Sequence, residues 1–126
     1  MTFTVSVDTT STVPHYEQLR SQLAALITAG TLVDGQRLPT VRVLAHDLGI
    51  APGTVSRTYR DLEAAGLVTT RRRVGTLVTA PPAALDRAAV TEAARRFVRI
   101  ARDHGLTDAE VRDAVAAELV LARADG

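Results

Sequence analysis

The chain has 126 residues, 46% hydrophobic and 23% charged, a balance that suits a soluble folded protein with one core and an appendage and excludes a disordered or membrane-embedded chain. Its net charge of +1 conceals an asymmetry: residues 1–80 carry eight Arg against six Asp and Glu, residues 81–126 seven against eight, so the N-terminal part is mildly basic. No apolar run approaches the ~18 residues of a membrane span and the opening M-T-F-T-V-S-V-D lacks the regions of a signal peptide, so the cytoplasm, without membrane contact, is the expected location.

In T-F-T-V-S-V-D, Phe3, Val5 and Val7 alternate with polar residues, which predicts a short strand or extended arm ending in the turn-like D-T-T-S-T. From Val13 to Ala29, the residues Tyr16, Leu19, Leu23, Leu26 and Ile27 recur at the spacing of a helix facing a core, with Gly30 as its stop. L-V-D-G-Q-R-L-P is a loop in which Asp34-Gly35 turns the chain and Pro39 prepares the next helix start. Thr40 to Leu48 then places Val41, Leu44, Ala45 and Leu48 on one side. Gly49 ends that helix; Pro52 begins another, which runs through Val55, Tyr59 and Leu62 to Ala65 and is stopped by Gly66. A Gly and a Pro three residues apart would disrupt a single helix, so the break joins two short helices by a tight turn.

L-V-T-T and T-L-V-T flank R-R-R-V-G as a two-stranded hairpin with Arg71, Arg72 and Arg73 at its tip. Helix, helix, turn, helix, hairpin is the order of a winged helix-turn-helix, here residues 1–80, and A-P-P-A-A leads out of it. Residues 81–126 hold two further helices, so the fold class is mostly α with a small β-hairpin. Leu85 to Asp103 aligns Val90, Ala93, Ala94, Phe97, Ile100 and Ala101; Thr107 to Ala122 aligns Val111, Ala114, Val115 and Leu119 and opens with T-D-A-E, a capping box. Neither stripe can be buried alone: each needs the other helix, the N-terminal domain or a second copy of the chain.

Catalysis has little footing. There is no Ser-His-Asp arrangement, no glycine-rich phosphate loop and no H-E-x-x-H, so an enzyme is not expected. Without Cys there is no thiolate zinc site, and His15, His46 and His104 share no ligand spacing, so neither a metal nor another cofactor is expected. Nucleic-acid binding has more support. The second helix of a helix-turn-helix enters the major groove by its N-terminal residues, here Pro52, Gly53, Thr54, Ser56 and Arg57. Thr54 can donate its hydroxyl to a phosphate or a base, and Gly53 lets the backbone approach closely. Arg57 is long enough to fork onto a guanine edge, Arg60 reaches the flanking backbone, and Arg42 is placed to clamp a phosphate. The arginines of the hairpin tip suit a minor groove or its flanking phosphates. Each of these residues alone has a plainer reading as a helix start, a solvated face or a solubility device; their convergence on one motif favours DNA.

The ordered set P-H-Y-E-Q-L (14–19), I-T-A-G-T-L (27–32), G-Q-R-L-P-T-V-R-V-L-A (35–45), L-G-I-A-P-G-T-V-S-R-T-Y-R-D-L-E-A-A-G-L-V (48–68) and V-G-T-L-V (74–78) resembles the DNA-binding domain of the GntR family of bacterial transcription regulators. The A-P-G-T-V of residues 51–55, the short N-terminal lead and a tail of some forty residues are similar to its YtrA subfamily. The resemblance implies a homodimer that reads an inverted repeat, commonly as a repressor of its own operon, often one encoding a membrane transporter. It implies DNA contacts at Arg42, at Ala51, Pro52, Gly53, Thr54 and Ser56, and at Arg72 and Arg73. It also makes residues 81–126 a two-helix dimerisation segment, with Val90, Ala94, Phe97, Ile100, Val111, Val115 and Leu119 as its interface.

Three positions depart from the family pattern. Ala51 replaces a residue that is usually polar, a capping loss of roughly 1 kcal/mol that Pro52 partly offsets. Gly53 lacks a side chain, which shifts base readout toward Thr54, Ser56 and Arg57, and Arg73 stands where Gly is common. The expected function is sequence-specific binding of double-stranded DNA by a dimeric regulator. The alternative is a winged helix used as a protein-interaction module, favoured by the apolar Ala51 and the low net charge. A small-molecule effector would have to bind between the two C-terminal helices, at the dimer interface or against the core, and the sequence identifies none.

Overall fold

In the computed structural model, which describes residues 5–80 and 87–125, helix α1 spans His15–Thr28. It starts later than the apolar spacing alone suggests because Pro14 disfavours the helical region for Val13 before it. Leu19, Leu23 and Ile27 are fully buried, whereas Tyr16 and Leu26 are half-buried at the margin. Ahead of α1, Val5 to Asp8 forms no helix or strand and, among the described residues, pairs with no strand. Its backbone is held by two glutamines of α1. The Gln22 amide bonds the N–H and carbonyl of Ser6 at 2.9 and 2.7 Å, and that of Gln18 bonds those of Asp8 at 2.8 and 3.0 Å. The segment is thus a docked arm; Phe3 lies outside the described residues.

Helix α2, Val41–Leu48, is capped by Thr40, whose hydroxyl accepts the Val43 N–H at 3.2 Å. It ends at Gly49, whose φ of 67° lies in the left-handed region that side chains disfavour. After the turn Gly49 to Ala51, α3 (Pro52–Ala64) begins with proline at its first position, where the missing N–H needs no partner. The interrupted helical pattern is therefore the turn of a helix-turn-helix. Helix α3 packs on both α1 and α2 and buries Val55, Thr58, Tyr59 and Leu62. The Thr58 hydroxyl lies 3.1 Å from the Tyr16 carbonyl and 3.0 Å from that of Thr54, so this buried polar group is satisfied and also ties α3 to α1. The Tyr59 hydroxyl donates to the Pro39 carbonyl at 2.7 Å, and burial pushes its pKa up, keeping the donor protonated.

Strands β1 (Val68–Arg71) and β2 (Gly75–Val78) form the antiparallel wing, with Val68 opposite Val78 and Arg71 opposite Gly75. Arg71, expected at the tip, is thus the last residue of β1, and the tip is Arg72, Arg73 and Val74. The segment before α2 extends this sheet: Arg37 bridges Leu77, the Leu38 N–H bonds the Thr76 carbonyl at 2.9 Å and the Val78 N–H bonds the Gln36 carbonyl at 2.8 Å. Glu63 near the end of α3 accepts the Thr70 N–H at 2.8 Å, which anchors the wing to the helix.

Two compact units make up the chain, Met1–Ala88 and Ala89–Gly126. The second contains α4 (Ala88–Asp103) and α5 (Asp108–Asp125). The part of the expected helix before Ala88 falls largely on residues 81–86, outside the described residues. The capping box at α5 forms as its sequence predicts: Thr107 accepts the Glu110 N–H at 3.2 Å and Glu110 accepts the Thr107 N–H at 3.0 Å, which holds the Glu110 carboxyl below its usual pKa. Ala101 is buried, yet α4 and α5 do not pack closely along each other. No helix among the described residues is long and apolar enough to cross a membrane.

Candidate nucleic-acid interface

The face of α3 opposite its buried stripe carries Gly53, Ser56, Arg57 and Arg60, at the three- and four-residue spacing of one helical ridge. Arg57 and Arg60 are exposed; Thr54 and Ser56 are half-buried. At the head of the ridge Ala51 has extended backbone and, lacking a side-chain oxygen, caps nothing. A Cβ at Gly53 would meet no atom within 4 Å, so packing inside the chain does not demand glycine here. What the glycine provides is open surface around the first turn of α3, beside exposed Ala51 and Pro52.

Arg42 is exposed in the first turn of α2. Its position is fixed from two sides, by the Thr40 cap and by the bond from Tyr59 on α3 to Pro39. Arg72 and Arg73 are exposed at the wing tip, where the Val74 N–H closes a turn onto the Arg71 carbonyl at 3.1 Å. Arg73 has a φ of 70°, the one non-glycine in the left-handed region among the described residues. That conformation costs a side chain about 1–2 kcal/mol, which glycine would avoid. Arg73→Gly is therefore expected to leave the protein as stable or more stable, by up to about 1 kcal/mol after glycine's entropy in the unfolded chain is deducted. The same variant should bind duplex DNA more weakly. Denaturant unfolding and duplex titration check the two halves, and equal affinity would show that the charge at this strained position is idle.

Two arrangements escape the sequence reading. Arg37 lies along the wing, and a Cβ at Gly75 would sit 3.6 Å from its Cδ. Only the pairing of residues 36–38 with β2 puts a further exposed arginine there, and no local spacing signals it. The Arg57 guanidinium, expected to project from the α3 ridge, lies 3.6 Å from the centre of the Tyr16 ring on α1.

The ten residues expected at the DNA thus sit on α2, on the turn before α3 (Ala51), on α3 and on the wing of the first unit, with Arg57 turned toward α1. In the second unit Val90, Ala94, Ile100, Val115 and Leu119 are exposed and Phe97 and Val111 half-buried. Among the described residues no three His, Cys, Asp or Glu side chains are grouped so as to hold a metal ion.

Residues 15–78 match the family described as bacterial regulatory proteins, gntR family. Over 104 residues the chain is 44% identical to HTH-type transcriptional regulator Rv1152 of Mycobacterium tuberculosis (strain ATCC 25618 / H37Rv), covering 82% of this chain and 84% of that protein. Over 75 residues it is 37% identical to HTH-type transcriptional repressor YtrA of Bacillus subtilis (strain 168), covering 60% of this chain and 58% of that one. Among solved structures, YtrA from Sulfolobus acidocaldarius, a GntR-family transcription factor, superposes with a TM-score of 0.57 at 29% identity, covering 71% of this chain and 95% of that one.

Proposed function

This chain belongs to the GntR family of bacterial regulatory proteins, in its YtrA-like branch, and from that premise we propose that it acts in the cytoplasm as a homodimer that reads an inverted-repeat operator and represses transcription. The observation that carries the reading is the open start of α3, with exposed Ala51, Pro52 and Gly53, in a unit that also exposes Arg42 on α2 and Arg72 and Arg73 on the wing. Such a turn can be pressed against the edges of base pairs without a side chain in the way, while the flanking cations settle on phosphates. Thr54 and Ser56 then address bases or adjacent phosphates from the ridge, Arg42 and Arg60 hold the backbone, and Arg72 and Arg73 follow the neighbouring minor groove. Repression is supported by the YtrA relative from Bacillus subtilis, which is an HTH-type transcriptional repressor.

Dimerisation is supported by the second unit. Fewer than about 40 residues seldom fold without a partner, and α4 and α5 leave large apolar residues exposed: Val90 is 68% exposed, Ile100 52% and Leu119 53%. A second copy of the same two helices presents the complementary stripes, and a two-fold pairing buries both sets at once.

Selection of random duplex DNA by the purified full chain tests the proposal. Two inverted half-sites, centred about 34 Å apart or a multiple of it, are the expected product. Arg42→Ala should then weaken operator and unrelated duplex alike and reduce the salt dependence by about one unit of slope per protomer. Recovery of no motif, with binding abolished by moderate salt, would instead point to the wing and C-terminal helices docking another protein.

A further inference from the structure

We propose that Tyr16 and Arg57 form a preset phosphate clamp at the seam of α1 and α3, so that Arg57 grips the DNA backbone and does not read a base. The inference rests on the operator-binding reading above and assigns a role within it to a residue of α1, a helix that reading leaves as scaffold.

The geometry points this way for three reasons. First, the Arg57 Cζ lies over the Tyr16 ring, 3.6 Å from its centre, so the length of the Arg57 side chain is spent in crossing from α3 to α1. A guanine edge requires the same side chain to extend straight into the groove as a fork, which the stack forgoes. A contact with the ring does not use up the five guanidinium N–H donors, and a phosphate outside the seam can accept from them.

Second, the seam is locked at these same residues. The hydroxyl of Thr58, next to Arg57, reaches the carbonyl of Tyr16 at 3.1 Å, so the stacking partners keep a constant register. Helix motion would otherwise separate a surface ring from a surface arginine. A guanidinium already held in place loses less freedom on meeting its anion, which is what distinguishes a clamp from a loose surface charge.

Third, the charge is not spent inside the protein. Arg57 makes no ion pair among the described residues. It remains exposed, cationic and fixed, as a phosphate contact should be.

The test is equilibrium binding of the full chain to its selected operator and to an unrelated duplex across a series of salt concentrations, for wild type, Arg57→Ala, Tyr16→Phe and Tyr16→Leu. A clamp predicts that Arg57→Ala weakens both duplexes by about tenfold and lowers the salt slope by about one per protomer. Tyr16→Phe should match wild type, because a phenyl face still supports the guanidinium. Tyr16→Leu, which retains every charge, should weaken both duplexes by about threefold with the folded state intact by circular dichroism. Arg57→Ala losing preference at a single base pair of the operator, with the unrelated duplex unaffected, would overturn the clamp while leaving the regulator in place. Wild-type affinity in Tyr16→Leu would equally overturn it. Wild type binding neither duplex would overturn the operator reading and the clamp together.

Discussion

Ile100→Gln combined with Leu119→Gln is expected to lower affinity for a two-half-site operator by about 10²- to 10⁴-fold while binding to a single half-site stays unchanged. Both side chains are more than half exposed in the single chain, and they lie on helices that leave several other large apolar residues exposed, Val90, Val115 and Val120 among them. Burying a side chain of this size contributes about 1.5–3 kcal/mol, and a two-fold interface counts each substitution twice. Four such losses approach the whole of a micromolar dimer's roughly 8 kcal/mol. Glutamine is neutral and favours helix, so neither the charge near DNA nor the helicity of α4 and α5 changes enough to imitate the effect. Sedimentation should show the variant as a monomer at concentrations where the parent is a dimer. A variant that stays dimeric and keeps its preference for paired half-sites would place the interface elsewhere.

Leu62→Ala is expected to cost the N-terminal unit about 2–5 kcal/mol, a large part of the 5–15 kcal/mol that holds a typical domain together. Leu62 is fully buried, on a helix that packs against α1 and α2 and is tied to the wing through Glu63, so the walls of the cavity have little freedom to close. Arg60→Ala, two residues earlier on the exposed ridge, should change stability by no more than about 0.5 kcal/mol. The pair separates scaffold from contact: Leu62→Ala should shift the denaturation midpoint at fixed protein concentration and bind DNA normally while folded, whereas Arg60→Ala should do the reverse. A loss below about 1 kcal/mol for Leu62→Ala would contradict the packing of α3 described above.

The two functions of α3 are thus carried by opposite faces, and this explains why some of its residues could be read from the chain and others could not. Val55, Tyr59 and Leu62 announce the core by their spacing. Thr58 is as deeply buried as they are and carries no such signal, because its burial depends on a carbonyl of Tyr16, 42 residues away. Arg57 looks like any solvated arginine on a ridge until α1 brings an aromatic ring beneath it.

What the sequence by itself determined are the features set within a few residues. Gly49 and Pro52 specify the turn between α2 and α3 through backbone angles, Thr40 caps α2, and Thr107 with Glu110 opens α5, because those conformations and bonds span at most four positions. Apolar periodicity likewise set the helices and the wing strands of the first unit to within a few residues, and Pro14 is what moves the start of α1 past Val13. Tertiary structure alone decided the features that join distant segments: the arm held by Gln18 and Gln22 in place of a strand, Arg37 drawn onto the wing through residues 36–38, and the seam of Tyr16 with Arg57. These contacts have no period and no motif, since each needs two segments to be folded before either partner has anything to bind.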